Sequence, residues 1–351
     1  ELYTISYLGF FAILGTLARL GLQALTTYPG TPTIFSSLWP NFAGCLVMGF
    51  LAEDRKLFLH EWGILRSSGG ESRKDSDHPA AILAARKAHL AVKKTIPLYI
   101  GLATGFCGSF TSFSSFMRDV FLALSNDLPP PGEPQSTTIP RNGGYSFMAL
   151  LAVLIVTISL SLSGLSMGAH LAIAIGSYTP SISFRVMSKV LDRTAVILAF
   201  GCWLGAVLLT ALPPHNDEYW RGTATFALVF APLGCLLRFY ISAWLNKRRA
   251  SFPWGTFAVN ILGTAVLGMA WDIQHVPVGG VLGCQALQGI EDGFCGCLTT
   301  VSTWAAELVS LRRRDAYVYG AASVGAGLAV MVAVIGGLRW TEGFATIQCV
   351  H

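Results

Sequence analysis

Two short segments combine paired glycines, hydroxyl side chains and aromatic rings in a pattern that could bind small ions. They read Gly-Phe-Cys-Gly-Ser-Phe-Thr-Ser-Phe-Ser-Ser-Phe at 105–116 and Gly-Phe-Cys-Gly-Cys-Leu-Thr-Thr-Val-Ser-Thr-Trp at 293–304. Glycine is costly inside a helix, and serine and threonine side chains compete for backbone groups, so each segment predicts a broken helix. Carbonyls released at such breaks could hold a cation such as Na⁺. The alternative is close helix packing through small residues.

Neutral hydrogen-bond donors accompany both segments, and such donors can bind a small anion without trapping it. They are hydroxyl and amide groups: Ser112, Ser114, Ser115, Thr300, Ser302, Thr303, Asn41 and Asn260. Phe113 and Phe116 lie three residues apart on one helical face, where the positive ring edges could also face an anion. The alternatives are an interhelical hydrogen bond for each asparagine, and core or lipid packing for the two rings.

Four ionisable residues occur at matched positions near these segments. Arg19 and Arg238 each end a Gly-x-x-x-Arg pattern within an apolar segment. Ionisable residues at membrane depth are functional candidates, so each arginine could attract anions in a vestibule, or it could contact interfacial lipid. Asp119 and Glu307 also correspond, and we expect them to orient or cap a helix.

The elements that must position these residues are apolar. Hydrophobic residues make up 53% of the 351 residues, charged residues only 12%, and the mean hydropathy is +0.55. Nine segments are near the length of about 20 residues that spans a bilayer as a helix. They are Thr4–Leu25, Ile34–Ala52, Thr95–Leu124, Tyr145–Ile175, Ala195–Leu212, Gly222–Leu245, Pro253–Ile273, Gly280–Val309 and Ala316–Leu338. The sequence therefore predicts an all-α polytopic membrane protein.

The distribution of lysine and arginine predicts the orientation. With a cytoplasmic N-terminus, four cytoplasmic loops hold 18 of the 24 basic residues, as the positive-inside rule requires. This distribution explains the net charge of +5 without a nucleic-acid partner. The longest loop, 53–94, ends in a possible interfacial helix, and the loop at 127–142 contains three consecutive prolines and favours an extended or disordered chain. No nucleotide-binding loop or metal-ligand cluster is recognisable, which weighs against an enzyme or an ATP-driven pump.

The sequence also contains an internal repeat. Asn-x-x-Gly at 41–44 recurs at 260–263, Gly-x-x-x-Arg recurs as described, and the two glycine segments share six identities in twelve. The repeat predicts two four-helix units, at 1–178 and 220–351, joined by a linker transmembrane helix within 179–219. Because a single extra crossing reverses the second unit, the two units should be inverted, as in many transport proteins.

These combined motifs resemble the Fluc/CrcB fluoride channel family. The motif Gly-Phe-Cys-Gly-x-x-Thr-x-Phe-Ser-x-Phe carries the resemblance, together with the Asn-x-x-Gly and Gly-x-x-x-Arg patterns. The nine-segment chain with two copies resembles the fused eukaryotic branch of that family, the fluoride export proteins of fungi and plants. The resemblance covers both four-helix units, and it implies two pores and a central, buried Na⁺.

The resemblance also implies roles for individual residues. A central Na⁺ would be held by the backbone carbonyls of Gly108, Thr111, Gly296 and Thr299. The fluoride pathway would include Asn41, Asn260, Phe113, Phe116, Ser112, Ser115, Thr300, Thr303, Val301 and Trp304. The second copy departs from the family pattern, since Val301 and Trp304 stand where phenylalanines are expected. The two pores therefore cannot be equivalent, and one is expected to be degenerate.

The sequence thus predicts a passive, selective fluoride channel that exports fluoride and functions as a single chain. It would lie in the lipid bilayer of the plasma membrane as a multi-pass protein with a cytoplasmic N-terminus, and it would confer fluoride resistance. One alternative is an ion-coupled secondary transporter of another small solute, because such proteins also contain inverted repeats with broken helices. A non-conducting membrane scaffold is a second alternative.

Overall fold

The computed structural model describes residues 1–58, 91–128, 140–212, 224–276, 280–345 and 347, and these residues form helices and turns without a β-strand. The first unit contains α1 (Leu2–Thr26), α2 (Leu38–Glu53), α3, α4 (Phe113–Ser125) and α5 (Gly143–Ala174). Helix α3 joins an α-helical turn at Pro97–Ile100, a π-helical segment at Gly101–Cys107 and a last turn at Gly108–Phe110.

The remaining helices form the linker and the second unit. The linker helix α6 joins Phe184–Val186, a π-helical segment at Met187–Leu191, and Asp192–Ala211. The second unit contains α7 (Phe226–Leu245), α8 (Trp254–Gln274), α9, α10 (Ser302–Ser310) and α11 (Arg313–Thr341). Helix α9 joins Gly280–Gly289, a π-helical segment at Ile290–Cys295, and Gly296–Leu298. The chain is therefore an all-α polytopic membrane protein.

Within the described ranges, six helices are long and apolar enough to cross a membrane: α1, α5, α6, α7, α8 and α11. The other three predicted segments correspond to α2, which has 16 residues, and to the interrupted pairs α3–α4 and α9–α10. The count of nine crossings, like the unit boundaries, stays a prediction. The interfacial helix and most of the proline-rich loop fall outside the described residues.

Small residues allow close packing inside the first unit. Helix α2 runs along α5, and a side chain added at Gly49 or Gly168 would overlap the backbone of the opposite helix. Helix α1 packs on the π-helical segment of α3, and α7 packs in the same way on that of α9. The two units therefore share this part of their architecture.

The two units also interlock, which positions the site. Helix α1 packs on α7, α4 packs on α8 and α11, and α10 packs on α2 and α5. The linker α6 contacts α1 and α7, and Tyr7 donates a hydrogen bond to Asp192 across the first of these contacts (3.0 Å). Each short helix that follows a break is thus surrounded by helices of both units.

Candidate ion-binding site at the two helix breaks

Both predicted breaks are present, and they lie against each other. Thr111 (φ −96°, ψ 151°) and Thr299 (φ −94°, ψ 156°) are extended where α3 and α9 end. The hydroxyl oxygens of Thr111 and Thr300 are 3.3 Å apart, and those of Thr299 and Ser112 are 3.4 Å apart. The breaks of the two units therefore meet in the interior of the protein.

The two asparagines make equivalent hydrogen bonds to the breaks. Asn41 Oδ1 accepts from Ser112 N (2.9 Å), and its Nδ2 donates to Ser112 O (3.4 Å). Asn260 Oδ1 accepts from Thr300 N (2.8 Å), and its Nδ2 donates to Thr300 O (3.2 Å). Both side chains are buried. Each asparagine therefore makes the interhelical hydrogen bond considered above. Its amide group also has a second N–H, which could donate a hydrogen bond to an anion.

The threonine of each break caps the short helix of the other unit. Thr299 Oγ1 accepts hydrogen bonds from Phe113 N and Ser114 N, both at 3.1 Å, and donates to Cys295 O (3.0 Å). A hydroxyl group has one donor and two acceptor positions, so these three bonds can form together, and Ser114 Oγ also lies 3.0 Å from Thr299 Oγ1. The first N–H groups of a helix have no acceptor within the helix. In α4, the acceptor is a hydroxyl oxygen of the second unit.

The reciprocal cap has the same geometry. Thr111 Oγ1 accepts from Val301 N (3.2 Å) and Ser302 N (3.1 Å), at the start of α10, and donates to Cys107 O (3.1 Å). The sequence singled out Thr111 and Thr299 only for their carbonyl groups. Their side chains explain why the two units must be folded against each other for either short helix to be complete.

Side chains also divert the backbone N–H groups that would close the helix at the first break. In a continuous helix, a carbonyl accepts from the N–H four residues later. Ser112 N, four residues after Gly108, donates instead to Asn41. Ser115 N, four residues after Thr111, donates instead to the hydroxyl group of Ser112 (3.2 Å). The carbonyls of Gly108 and Thr111 are therefore released from the helical pattern.

The second break repeats this arrangement. Thr300 N, four residues after Gly296, donates to Asn260, and Thr303 N, four residues after Thr299, donates to the hydroxyl group of Thr300 (3.3 Å). The four released carbonyls are the ones that the family resemblance assigns to a cation site. Neutral carbonyls at unwound helix segments are a suitable ligand set for Na⁺.

Arg19 lies between the two units. Its side chain is buried, Nη1 donates to Ser109 O (2.8 Å) in the first unit, and Nη2 donates to Asp292 O in the second. A side chain at Gly296 would overlap this guanidinium, so the glycine provides the space that Arg19 occupies.

Arg238 has the matching position. It is also buried, Nε donates to Cys297 O (2.7 Å) in its own unit, and Nη2 donates to Thr104 O (2.8 Å) in the first. A side chain at Gly108 would overlap its Nη1. Both arginines are therefore buried between the units, and the vestibule role of Arg19 and Arg238 stays a prediction. The physical reason for the burial is that carbonyls near the breaks need donors, and the two guanidiniums supply them across the interface.

The aromatic residues form one cluster drawn from both units. The rings of Phe113 and Phe116 meet edge to face, with centroids 5.9 Å apart, and the indole of Trp304 meets Phe113 in the same way at 5.7 Å. All three side chains are buried, as is Val301. The two units are therefore unequal here, because the second contributes an indole and an aliphatic side chain.

Of the two acidic residues, Asp119 caps a helix, whereas Glu307 joins its neighbours through side-chain hydrogen bonds. Asp119 Oδ2 accepts from the hydroxyl (2.6 Å) and backbone N–H (3.2 Å) of Ser37, which precedes α2. Glu307 accepts from the hydroxyl groups of Thr256 (2.6 Å), near the start of α8, and Tyr319 (2.7 Å). Phe116 lies one turn before Asp119 on the same face of α4, and Asp119 contacts the residue that precedes α2.

The sequence analysis missed two hydroxyl groups on α5. Thr157 and Ser161 are each 1% exposed, and neither hydroxyl oxygen has a hydrogen-bond partner within the described ranges; Ser161 has the thiol of Cys45 beside it. A thiol is a weak partner. The two residues are four apart and therefore share a face of the helix. That spacing within an apolar segment was the available signal.

The matching face of α11 is different. Its buried residues are Tyr319, Ser323, Gly327, Met331, Ile335 and Gly336. The hydroxyl of Ser323 donates to Tyr319 O (2.7 Å). A Cβ at Gly327 would lie 2.8 Å from Met117 Cγ and 3.2 Å from Phe113 Cε1, so side chains of α4 fill the groove at this glycine.

The CrcB family model, described as "CrcB-like protein, Camphor Resistance (CrcB)", matches residues 6–169 and 225–337. These two matches fall in the two units and omit the whole of the linker helix α6. The chain belongs to the CrcB family. Its two copies of the CrcB-type unit confirm the predicted duplication and the resemblance based on the glycine segments.

Individual relatives agree with this assignment. "Fluoride export protein 1" of Neurospora crassa is 66% identical over 368 residues, covering 100% of this chain and 69% of the relative. "Fluoride export protein 1" of Schizosaccharomyces pombe is 31% identical, covering 98% of each chain. The "Fluoride-specific ion channel FluC" of Geotalea daltonii is 38% identical over 90 residues, which is 25% of this chain and 71% of that protein. No solved structure gives a significant match.

The coverage separates two forms of the CrcB family. The fungal proteins match nearly the whole of this chain, whereas the bacterial protein matches only a quarter of this chain. The chain therefore has the fused, double-length form within the family.

Proposed function

We propose that this chain is a passive fluoride channel that exports fluoride from the cytoplasm. The names of its relatives support this function, and the observation that carries it is the interior formed by the two breaks. Asn41 and Asn260 bring amide donors to those breaks, hydroxyl groups surround them, and the aromatic cluster lies beside them. Fluoride is small and strongly hydrated, so selectivity requires several neutral donors to replace its water in a narrow passage.

We further propose that fluoride passes along the α2–α5 side of the protein. This side contains Asn41 and the hydroxyl groups of Thr157 and Ser161. We assign Phe116 to it because Phe116 shares a face of α4 with Asp119, which contacts Ser37 before α2. Buried polar groups normally have partners, so the partnerless hydroxyl of Thr157, in line with that of Ser161 whose neighbour is only a thiol, indicates water or an ion beside them. On α11, the hydroxyl of Ser323 is already bonded and side chains of α4 fill the groove at Gly327, and we take this filled groove to make the α8–α11 side the degenerate one.

Removing the α5 hydroxyls should slow fluoride flux. We expect Thr157→Val and Ser161→Ala each to reduce fluoride efflux from loaded liposomes by about 10–100-fold, because each loses a hydrogen bond worth about 1–3 kcal/mol to the ion. Ser323→Ala is the matched control on α11 and should retain flux within about threefold, since its hydroxyl serves a backbone carbonyl. Equal losses in all three variants would contradict the assigned side.

The same assay separates a passive channel from a coupled transporter. Efflux should be electrogenic, faster for fluoride than for chloride, and unchanged when the proton gradient is collapsed. An inside-negative potential is then sufficient to drive export, since it contributes about 2.3 kcal/mol per 100 mV for each charge. Efflux that stops when the gradient of a second, coupling ion is collapsed, while the fluoride gradient is kept, would favour the coupled transporter.

We propose that the four released carbonyls, of Gly108, Thr111, Gly296 and Thr299, hold a structural Na⁺. The ion would join the two units at the point where their breaks meet, and it would satisfy carbonyls that the helices no longer use. The diverted N–H groups of Ser112, Ser115, Thr300 and Thr303 support this site.

Sodium should therefore stabilise the purified protein. Exchanging Na⁺ for N-methylglucamine should lower the thermal unfolding midpoint, because a ligand at a hundredfold excess over its dissociation constant contributes about 2.7 kcal/mol. Potassium at the same ionic strength should replace only part of this effect. Superimposable unfolding curves in the two cations would rule out the site.

The finer setting of the protein is also proposed. We place the chain in the plasma membrane with its N-terminus in the cytoplasm, on the distribution of basic loop residues. Because both breaks and both short helices come from one polypeptide, a single chain is sufficient for function without a partner protein. No catalytic role is proposed for any residue.

A further inference from the structure

Trp304 has a buried N–H group without a partner. The side chain is 1% exposed, and its Nε1 has no hydrogen-bond partner in the described part of the chain. An indole N–H can only donate, and leaving a buried donor unpaired costs about 1–3 kcal/mol. Such a group is expected to have a ligand.

The surroundings of this indole are aromatic and apolar. Its ring meets that of Phe113 edge to face, and a Cβ at Gly320 on α11 would lie 3.9 Å from its Cζ2. The indole therefore lies between α4 and α11. An ordered water needs two to four polar partners, which such a setting does not readily supply. An anion needs only donors and the positive edges of rings.

Further neutral donors belong to this side of the protein. Asn260 holds the backbone of Thr300, one turn before Trp304, and has a second N–H. Thr264 follows Asn260 by one turn on the same face of α8, and its buried hydroxyl has no partner among the described residues. The nearby carboxylate of Glu307 is engaged by three donors.

We propose that the indole N–H of Trp304 is a ligand of a second small-anion site, on the α8–α11 side, and that fluoride is the anion bound there. The choice of fluoride rests on the proposed function, but binding at this site does not require conduction. Fluoride is small enough for a closely packed interior and is a strong hydrogen-bond acceptor. A neutral donor binds it without the permanent charge that would hold it irreversibly.

This site changes the interpretation of the second copy. The corresponding residue of the first copy is Phe116, which offers a ring edge and no donor. Tryptophan at position 304 keeps a ring against Phe113 and adds an N–H group. The α8–α11 side is then a binding site that has lost a through passage, not merely a relic of a pore.

The test is a fluoride titration of protein carrying ¹⁵N only in its nine tryptophan indoles, followed by ¹H–¹⁵N spectroscopy. One indole resonance should move downfield and saturate with sodium fluoride, and it should stay in place with sodium gluconate, which keeps Na⁺ constant. That resonance should be absent from the spectrum of Trp304→Phe. Trp271→Phe is the matched control, because Trp271 also has a buried indole N–H without a partner in the described residues; it should leave the responding resonance in place.

Each outcome decides the proposal. If none of the nine resonances responds to fluoride, the site is absent, whether or not Trp304→Phe folds. A response that persists in Trp304→Phe assigns the binding elsewhere and overturns the proposal, and an equal response to chloride overturns the choice of fluoride. A response without fluoride flux in liposomes contradicts the proposed function but not the site, whereas flux without a response contradicts only the site.

Discussion

Replacing Gly296 with alanine should leave little stable, fluoride-conducting protein. The added Cβ would overlap the guanidinium of Arg19, which is buried and hydrogen-bonded to carbonyls of both units. Moving the guanidinium leaves a buried charge without its partners, at a cost of about 3–5 kcal/mol. Fluorescence-detected unfolding of the purified variant measures the loss, and liposome flux measures its consequence.

The control lies on the same helix. Gly283 is also in α9, and a Cβ there would have no neighbour within 4 Å. Gly283→Ala should therefore be neutral or stabilising by up to about 1 kcal/mol, because alanine favours a helix more than glycine does. If Gly296→Ala unfolds at the same temperature as Gly283→Ala, the arginine does not depend on that space.

The features that could be predicted from the sequence are those fixed by local pattern. Runs of apolar residues predicted the helices, and glycines followed by hydroxyl residues predicted breaks next to Thr111 and Thr299. The matched positions of Asp119 and Glu307 predicted residues that orient or cap a helix: Asp119 accepts the backbone N–H of Ser37 before α2, and Glu307 accepts from side chains of α8 and α11. In each case the residues that determine the structure are close together in the chain or recur in the repeat.

Features that depend on how the two units meet could not be predicted in this way. The cap that Thr299 gives to Phe113 joins residues 186 apart in sequence. The sequence around Arg19 does not show whether its side chain faces a vestibule or the other unit. The side chain is buried because α1 packs on α7 and α9. Thr157 and Ser161 were missed because isolated hydroxyl residues are common in apolar helices, and their lack of partners is visible only in three dimensions.

Changing Asn41 to aspartate should nearly abolish fluoride flux, whereas the same change at Asn260 should not. The two asparagines make the same pair of hydrogen bonds to Ser112 and Thr300, so either substitution keeps the Oδ acceptor and loses one donor. The structural cost of the two changes is therefore matched. What differs is the side of the protein on which the new negative charge is placed.

The expected size of the effect follows from the charge. A carboxylate about 4 Å from a passing anion raises its energy by about 4 kcal/mol at an effective dielectric constant of about 20. Since about 1.4 kcal/mol corresponds to a factor of ten, flux through the α2–α5 side should fall by about 100–1000-fold in Asn41→Asp. The reduction of flux in Asn260→Asp should be at least about tenfold smaller than that in Asn41→Asp, because its charge lies on the α8–α11 side. Liposome efflux, normalised to the amount of folded protein, measures both variants. A loss of only about half in each variant would show that both sides conduct, because parallel passages add. Equal large losses would place both asparagines on one passage, and the opposite order would move the conducting passage to the side that contains Trp304.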